Sequence, residues 1–127
     1  MTPAGGSAVQ AALAGDPVLA EHYADFRAKT EAALDPALVA LVRQAVANVH
    51  GMGAASIDDS GLDAGTRAAI AYARRMPFEH TAISDAEAAA MVAHLGEPGF
   101  VAFSVVTALA DAECRAALVG LPELAGA

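Results

Sequence analysis

The fold of this chain depends on one stretch, residues 35–51, which reads Asp35-Pro36-Ala37-Leu38-Val39-Ala40-Leu41-Val42-Arg43-Gln44-Ala45-Val46-Ala47-Asn48-Val49-His50-Gly51. Asp35 can accept a hydrogen bond from the first turn of a helix, and Pro36 fits that turn because its missing N–H needs no partner there. Apolar residues then recur at helical spacing almost all round, which is typical of a central core helix. Gly51 is expected to end this helix, with His50 at its C-terminal end.

The composition limits the class of protein and of partner. The chain has 127 residues, which suits one domain, and it is 56% hydrophobic but only 5% aromatic. Seven residues are Lys or Arg and fifteen are Asp or Glu, so the formal net charge is -8. This balance argues against binding to nucleic acid and to anionic lipid, since both require a basic surface.

Cysteine usage and apolar runs indicate the compartment. Cys114 is the only cysteine, which excludes an intramolecular disulfide and favours a reducing cytoplasm. The N-terminus lacks the basic and long apolar regions of a signal peptide. The longest apolar run, residues 100–110, is interrupted by Ser104 and Thr107 and is shorter than the ~20 residues of a bilayer helix. We therefore expect a cytoplasmic protein that does not enter a membrane.

Helix start and stop signals divide the rest of the chain. Residues 1–15 are expected to be flexible or to form a short helix, residues 16–122 a helical domain, and residues 123–127 a tail. The dipeptide Asp16-Pro17 repeats the opening of the central helix, and the helix that it begins is expected to bury one stripe. That stripe consists of Leu19, Tyr23, Phe26, Ala33 and Leu34.

The second half of the chain has clear helix boundaries. A helix over residues 64–76 should begin after Asp63 and end at Pro77, with a loop over residues 78–82. Ser84 and Glu87 have the spacing of a capping box. The helix that follows should stop at Gly96, and a last helix should run from there to residue 120. No stretch alternates with period two, so the sequence predicts an all-α fold of five or six helices.

The loop over residues 51–61 contains three glycines and the adjacent aspartates Asp58 and Asp59. These acids lack the alternating spacing and terminal glutamate of a calcium loop, so a solvated turn is the better interpretation. The chain also lacks zinc-spaced Cys and His residues and glycine-rich phosphate loops. The sequence therefore predicts no metal and no cofactor.

Several phrases resemble the carboxymuconolactone decarboxylase family, which includes the alkyl hydroperoxidase D-like proteins. They are Leu34-Asp35-Pro36 leading into residues 41–47, then residues 67–73, the stretch 83–87 before the long apolar helix, and residues 115–120 at its end. The resemblance covers residues 17–122. It implies an all-α fold that assembles with copies of itself, usually as a trimer or hexamer.

The chain departs from the redox branch of that family at its functional site. That branch carries a Glu, a Cys-x-x-Cys at the end of the central helix, and then a His. The resemblance places Ala40, Met52, Ala55 and Asp59 at those positions. A dithiol reaction needs an activated thiolate and a resolving thiol, so it is not expected here.

His50 is the candidate acid or base, because an imidazole titrates near neutral pH and lies beside the position of the family's chemistry. The alternative is that His50 only caps the central helix. Arg43 and Arg115 are candidates for binding a carboxylate, since a guanidinium can hold two oxygens, although either can pair with an acid of this chain. Met52, Asp59 and His80 are further pocket candidates.

Three functions remain open from the sequence. The first is a carboxymuconolactone decarboxylase-like enzyme that acts without a cofactor on a small organic acid or lactone. The second is a non-catalytic, oligomeric binding or accessory protein of the same family. The third is a weak peroxidase that uses Cys114, although the neighbouring acids Asp111 and Glu113 should raise the pKa of its thiol.

Overall fold

The computed structural model describes residues 6–53 and 55–126, and none of these residues lies in a strand. The predicted all-α class is therefore confirmed for the described part of the chain. Six helices follow one another: α1 (Gly6–Ala12), α2 (Pro17–Ala32), α3 (Pro36–Val49), α4 (Ala64–Glu79), α5 (Asp85–Leu118) and α6 (Leu121–Gly126). A short 3-10 helix, His80–Ala82, connects α4 to α5.

The central helix α3 packs against both α4 and α5. It begins as predicted, because Asp35 Oδ1 accepts a hydrogen bond from Ala37 N at 3.0 Å. At its other end Gly51 adopts a φ of 71°, a left-handed conformation that glycine tolerates. The N–H groups of Gly51 and Met52 then donate to the carbonyls of Asn48 and Ala47. This Schellman arrangement satisfies carbonyls that the end of the helix would otherwise leave unpaired.

The core consists of small and medium apolar side chains from α3, α4 and α5. Phe103 and Met91 are its largest fully buried apolar members. From α3 it takes Leu38, Val39, Val42, Ala45 and Val46. Because much of the core is alanine and valine, the helices can approach one another closely.

The prediction that Pro77 ends the fourth helix was wrong. The helix begins at Asp63, whose Oδ1 accepts from Thr66 N at 2.7 Å, and continues through Pro77 to Glu79. A proline close to the end of a helix removes only one backbone hydrogen bond, so the helix can continue for its last residues. The carbonyl of Pro77 accepts a hydrogen bond from Arg115 at 2.8 Å.

Helix α5 has two arms separated by non-helical backbone at Gly96, where φ is 76° and ψ is 165°. The predicted stop at Gly96 is therefore present as a kink inside one long element. The predicted capping box is also present: Ser84 Oγ accepts from Glu87 N at 3.1 Å, and Glu87 Oε1 accepts from Ser84 N at 3.0 Å.

The stripe predicted to be buried on the second helix was right for Tyr23, which contacts α5, and for Leu34 just after the helix, which is in the core, but wrong for Leu19 and Phe26. Leu19 is 50% exposed and Phe26 is 52% exposed, and none of the residues of α2 is buried. Instead, Tyr23, Arg27 and Glu31, spaced four residues apart on one face, contact α3 and α5. The prediction assumed that the apolar face of the helix is the one turned inward, and here it is a largely polar face.

The C-terminal end differs from the predicted tail, whereas the described part of the N-terminal segment contains a short helix, one of the two predicted possibilities. The sequence predicts a tail over residues 123–127, but residues 123–126 belong to α6. Of the predicted N-terminal segment, Gly6–Ala12 forms α1, which packs against α5 and α6, and residues 1–5 lie outside the described residues.

By length and composition alone, the described helix α5 could cross a membrane, and α2 with α3 would do so only as one bent span. A bend of 116° separates α2 from α3. Buried core helices of soluble proteins have the same length and apolarity. The expectation that this chain does not enter a membrane therefore stays a prediction.

Candidate functional site

An open groove of about 460 Å³ lies where α2 turns into α3. Most of its walls are apolar, and Glu31 and Arg43 are its charged lining residues. The apolar lining consists of Ala28, Ala32, Pro36, Val39 and Ala40. We call this concavity the α2–α3 groove.

Arg43 joins two carboxylates at the polar part of the groove. Its guanidinium donates to Glu113 Oε1 at 3.2 Å and forms an ion pair with Glu31. The Arg43 side chain is 19% exposed, so part of it is accessible to solvent. Arg43, which the sequence analysis named as a candidate for binding carboxylates, therefore does line a concavity.

Glu113 is fully buried, with no exposed side-chain surface. Its Oε2 accepts from Tyr23 Oη at 2.5 Å and from Arg27 Nε at 3.0 Å. Both carboxylate oxygens are thus satisfied, as a buried charge requires. Glu113 on α5 consequently holds α2 and α3 through polar contacts.

Arg27, Glu31, Arg43 and Glu113 form what we call the four-charge cluster. Arg27 contacts both carboxylates of this cluster, because its Nη1 also lies 3.5 Å from Glu31 Oε2. Two guanidiniums and two carboxylates balance one another in charge. Burial, followed by the hydrogen bond to Glu113, raises the pKa of the Tyr23 phenol, so its proton stays on the tyrosine.

A second polar cluster lies at the C-terminal end of α3. His50 Nε2 lies 2.6 Å from Asp111 Oδ1, and Arg115 Nε donates to the same oxygen at 2.9 Å. The ring of Phe78 stands edge-on to the His50 ring at a centroid distance of 5.0 Å. The Arg115 guanidinium also lies 5.0 Å from the centre of that phenyl ring.

The structure therefore brings together two of the predicted site residues, His50 and Arg115, through Asp111. Only 3% of the His50 side chain is exposed, whereas the Arg115 side chain is about half exposed. His50 is also the C-cap residue of α3, where its backbone N–H, and not its side chain, donates to the helix carbonyls. Arg43 belongs to the other cluster and has no hydrogen bond or ion pair to His50, Asp111 or Arg115 among the described contacts.

The three further pocket candidates lie elsewhere. Met52 packs against the core, and His80 is exposed in the 3-10 helix. Asp59 is exposed, and its carbonyl accepts from Arg67 Nε at 3.1 Å. None of the three lines the α2–α3 groove.

Cys114 is buried next to both polar clusters. Burial raises the pKa of its thiol, and the charges of Asp111 and Glu113 raise it further. The neighbouring acids in the sequence predict the same direction of the pKa shift. A neutral, buried thiol is a poor nucleophile.

A smaller cavity of about 300 Å³ lies between the starts of α3 and α4 and the kink of α5. Its polar lining includes Asp35, Asp63 and His94. A side chain at Gly65 would require the His94 ring to move, because a Cβ there would overlap His94 Cε1. Among the described residues, no group of three or more Cys, His, Asp or Glu side chains could hold a metal ion.

Sequence reasoning missed Tyr23, Glu31 and Glu113 as members of the site. The spacing of Tyr23, Arg27 and Glu31 was a usable signal, since residues four apart share one face of a helix. Glu113 gave a weaker signal, because one acid in an apolar helix can face either solvent or a partner.

No protein-family model, curated protein or solved structure matches this chain. The resemblance of residues 17–122 to a known family therefore remains a prediction. The function has to be argued from the residues and their geometry.

Proposed function

We propose that this chain binds a small organic acid or lactone in the α2–α3 groove and acts on it without a cofactor. The observation that carries the proposal is the presence of Arg43 in an otherwise mostly apolar concavity of about 460 Å³. Sites for small molecules have this size and combine apolar walls with a few polar groups. A guanidinium is well suited to a carboxylate because it can form two parallel hydrogen bonds to it.

The groove also suits the family resemblance, which we retain as part of the proposal. Ala40 stands where the redox branch of the carboxymuconolactone decarboxylase family carries its glutamate, and Ala40 lines the groove. A ligand in this groove would thus lie beside a position that the family uses for chemistry. Since the cysteine positions of that branch are Met52 and Ala55, the proposed function excludes dithiol chemistry.

The first experiment is an NMR titration of isotope-labelled protein with cyclohexanecarboxylate and, separately, with γ-valerolactone. We expect shifts concentrated on the groove residues 28–32 and 36–43. Ala40→Phe fills the groove with a phenyl ring and should abolish these shifts. Ala71→Phe is the matched control, because Ala71 is exposed on α4 and lines neither cavity described above.

Two results would contradict the proposal. One is the absence of binding by either probe to the folded wild-type protein. The other is binding that Ala40→Phe leaves unchanged. Absence of binding by both probes would also favour the accessory-protein alternative, in which the chain binds another protein rather than a small molecule.

A second candidate function is acid–base chemistry through His50. The specific observation is the 2.6 Å contact between His50 Nε2 and Asp111 Oδ1, since a carboxylate can orient an imidazole. The burial of His50 requires Phe78, which is exposed, to move before a substrate reaches the ring. Loss of turnover in His50→Gln, with ligand binding retained, would support this candidate, and full turnover would eliminate it.

The peroxidase alternative has the weakest geometric support. Cys114 is buried and the pKa of its thiol is raised. Peroxide consumption that disappears in Cys114→Ser would revive this alternative.

A further inference from the structure

The two carboxylates bound to Arg43 differ in their contact with solvent. The Glu113 side chain has no exposed surface, whereas the Glu31 side chain is 26% exposed. Glu113 also accepts hydrogen bonds from Tyr23 and Arg27, whereas Glu31 has, besides Arg43, a longer ion pair with Arg27 at 3.5 Å. Of the two carboxylates, Glu31 is the one that can turn towards water, because its side chain already contacts solvent, whereas Glu113 is buried with its partners.

Of the two carboxylates that contact Arg43, Glu31 lines the groove and Glu113 does not. Glu31 and Arg43 both line the groove. Glu31 contacts Nη2 of Arg43, whereas Glu113 contacts Nη1. A ligand carboxylate in the groove would need the same guanidinium edge. The charge balance of the four-charge cluster is preserved if one carboxylate replaces another, and it is not preserved if a neutral group replaces it.

We propose that Glu31 is an internal competitor, whose carboxylate holds Arg43 in the empty groove and is displaced by the carboxylate of the ligand. This inference rests on the proposed function, because it specifies how the same groove recognises an acid. The binding of an acid then includes the loss of the Glu31–Arg43 ion pair. A neutral analogue of the same shape does not displace Glu31 and gains nothing from its removal.

The test compares cyclohexanecarboxylate with its neutral analogue cyclohexanecarboxamide. Dissociation constants are measured by NMR titration for the wild type, for Glu31→Gln and for Asp25→Asn. Asp25→Asn is the matched control, because it removes one negative charge from the same helix at an exposed ion pair with Lys29. It therefore reports the general effect of charge on anion binding.

We expect Glu31→Gln to bind the acid about tenfold more tightly than the wild type, since a hydrogen bond to a charged group is no longer broken on binding. The amide should bind all three proteins equally. Asp25→Asn should leave the affinity for the acid close to that of the wild type.

A readout in the wild-type protein removes any dependence on the folding of the variants. The side-chain carboxyl ¹³C signal of Glu31 should shift on addition of the acid and stay in place on addition of the amide. The signal of Glu113 should move little in either titration.

The outcomes separate this inference from the proposed function. If the acid binds the wild type and Ala40→Phe abolishes binding, but Glu31→Gln gives no gain, Glu31 is not a competitor and only the inference is overturned. An equal gain in Asp25→Asn would also overturn it, because the effect would then be long-range charge. If neither probe binds any of the proteins, the proposed function fails and the inference fails with it.

Discussion

Glu113 has no exposed side-chain surface, yet it lies in the long apolar helix α5 and carries a carboxylate. Three donors from two other helices satisfy it: Tyr23 and Arg27 from α2 and Arg43 from α3. A buried carboxylate with this many charged and polar partners is costly to disturb, because removal of one partner leaves the others uncompensated. Glu113 therefore joins α5 to both α2 and α3, beside the separate ion pair between Glu31 of α2 and Arg43 of α3.

Replacing Glu113 by Gln should destabilise the protein by about 3 kcal/mol, because Arg27 and Arg43 then lose a shared carboxylate. Urea unfolding followed by circular dichroism measures the change. Glu97→Gln, an exposed position on the same helix, is the control and should change the unfolding free energy by less than about 0.5 kcal/mol. Equal stabilities of the two variants would show that the buried contacts contribute nothing net.

Tyr23 should make the stability of the fold depend on pH at alkaline values. Its phenol pKa is raised above the usual 10.0 in the folded protein, by burial and by its hydrogen bond to Glu113. The stabilisation is therefore complete below pH 10.0 and is lost as the pH rises above that value, because the unfolded chain releases the proton first.

The measurement is the difference in unfolding free energy between the wild type and Tyr23→Phe. We expect about 1.5 kcal/mol in favour of the wild type between pH 7 and 9, from one hydrogen bond to a charged group. The difference should shrink above pH 10. The pKa of the Cys114 thiol is also raised by burial, but Cys114 is present in both proteins, so its contribution cancels. A difference that stays constant to pH 11 would contradict the role assigned to Tyr23.

At the scale of single residues, the sequence predicted Arg43 as a carboxylate-binding group but not its partners. Glu113 lies 70 residues from Arg43 in the chain, and Glu31 reaches it across the bend between α2 and α3. Such pairs are decided by how helices pack, and local spacing contains no information on that packing. The contact of His50 with Asp111 also depended on packing, whereas Arg115 and Asp111 are four residues apart on α5 and their contact follows from helical spacing.

At the scale of helices, the sequence was most informative where a helix begins. Asp16, Asp35, Asp63 and Ser84 all accept the hydrogen bonds that their positions predict. These signals depend only on residues within one turn, so tertiary packing cannot override them easily. The glycines at 51 and 96 were also informative, because both take the positive φ that other residues avoid.

The capping box at the start of α5 provides a test at this scale. Ser84→Ala removes the acceptor for Glu87 N and should lower the unfolding free energy by about 1 kcal/mol. Ser56→Ala is the control, because Ser56 is exposed in the loop before α4. Thermal and urea unfolding of the two variants give the comparison. A loss no larger for Ser84→Ala than for the control would mean that the box contributes little to α5.

The sequence failed at this scale where the solvent-facing side of a helix had to be decided. For α2 it used the apolar residues Leu19 and Phe26, which are about half exposed in the structure. The helix instead turns Tyr23, Arg27 and Glu31 towards partners on α3 and α5. Hydrophobic periodicity cannot identify a face that docks through charges.

At the scale of the whole molecule, the single chain leaves large apolar side chains in contact with water. Val101 is more than half exposed on α5, and Leu118, Val119 and Leu124 are more than half exposed near the C-terminal end. Exposed apolar surface of this extent often marks an interface with another chain. It fits the expectation from the sequence that copies of the chain associate.

We therefore predict that the protein in solution has three or six times the chain mass of 12.7 kDa. Size-exclusion chromatography with light scattering measures this directly over a range of concentrations. Symmetric homo-oligomers are common among soluble proteins, so the measured mass should be a fixed multiple rather than a broad distribution. A mass of one chain at every concentration would contradict the prediction.

The four-charge cluster also constrains how this sequence can change over generations. Loss of one charge leaves its partner without a counter-charge, which lowers the stability of the fold. Simultaneous replacement of an acid and a base by apolar residues of similar size can leave the stability nearly unchanged. The two natural pairs are Arg27 with Glu113 and Glu31 with Arg43, and each has one member on α2. Descendants of this sequence should therefore keep or lose these charges two at a time. A lineage that replaced Glu31 and Arg43 together could retain the six helices while giving up the guanidinium that an acid would require.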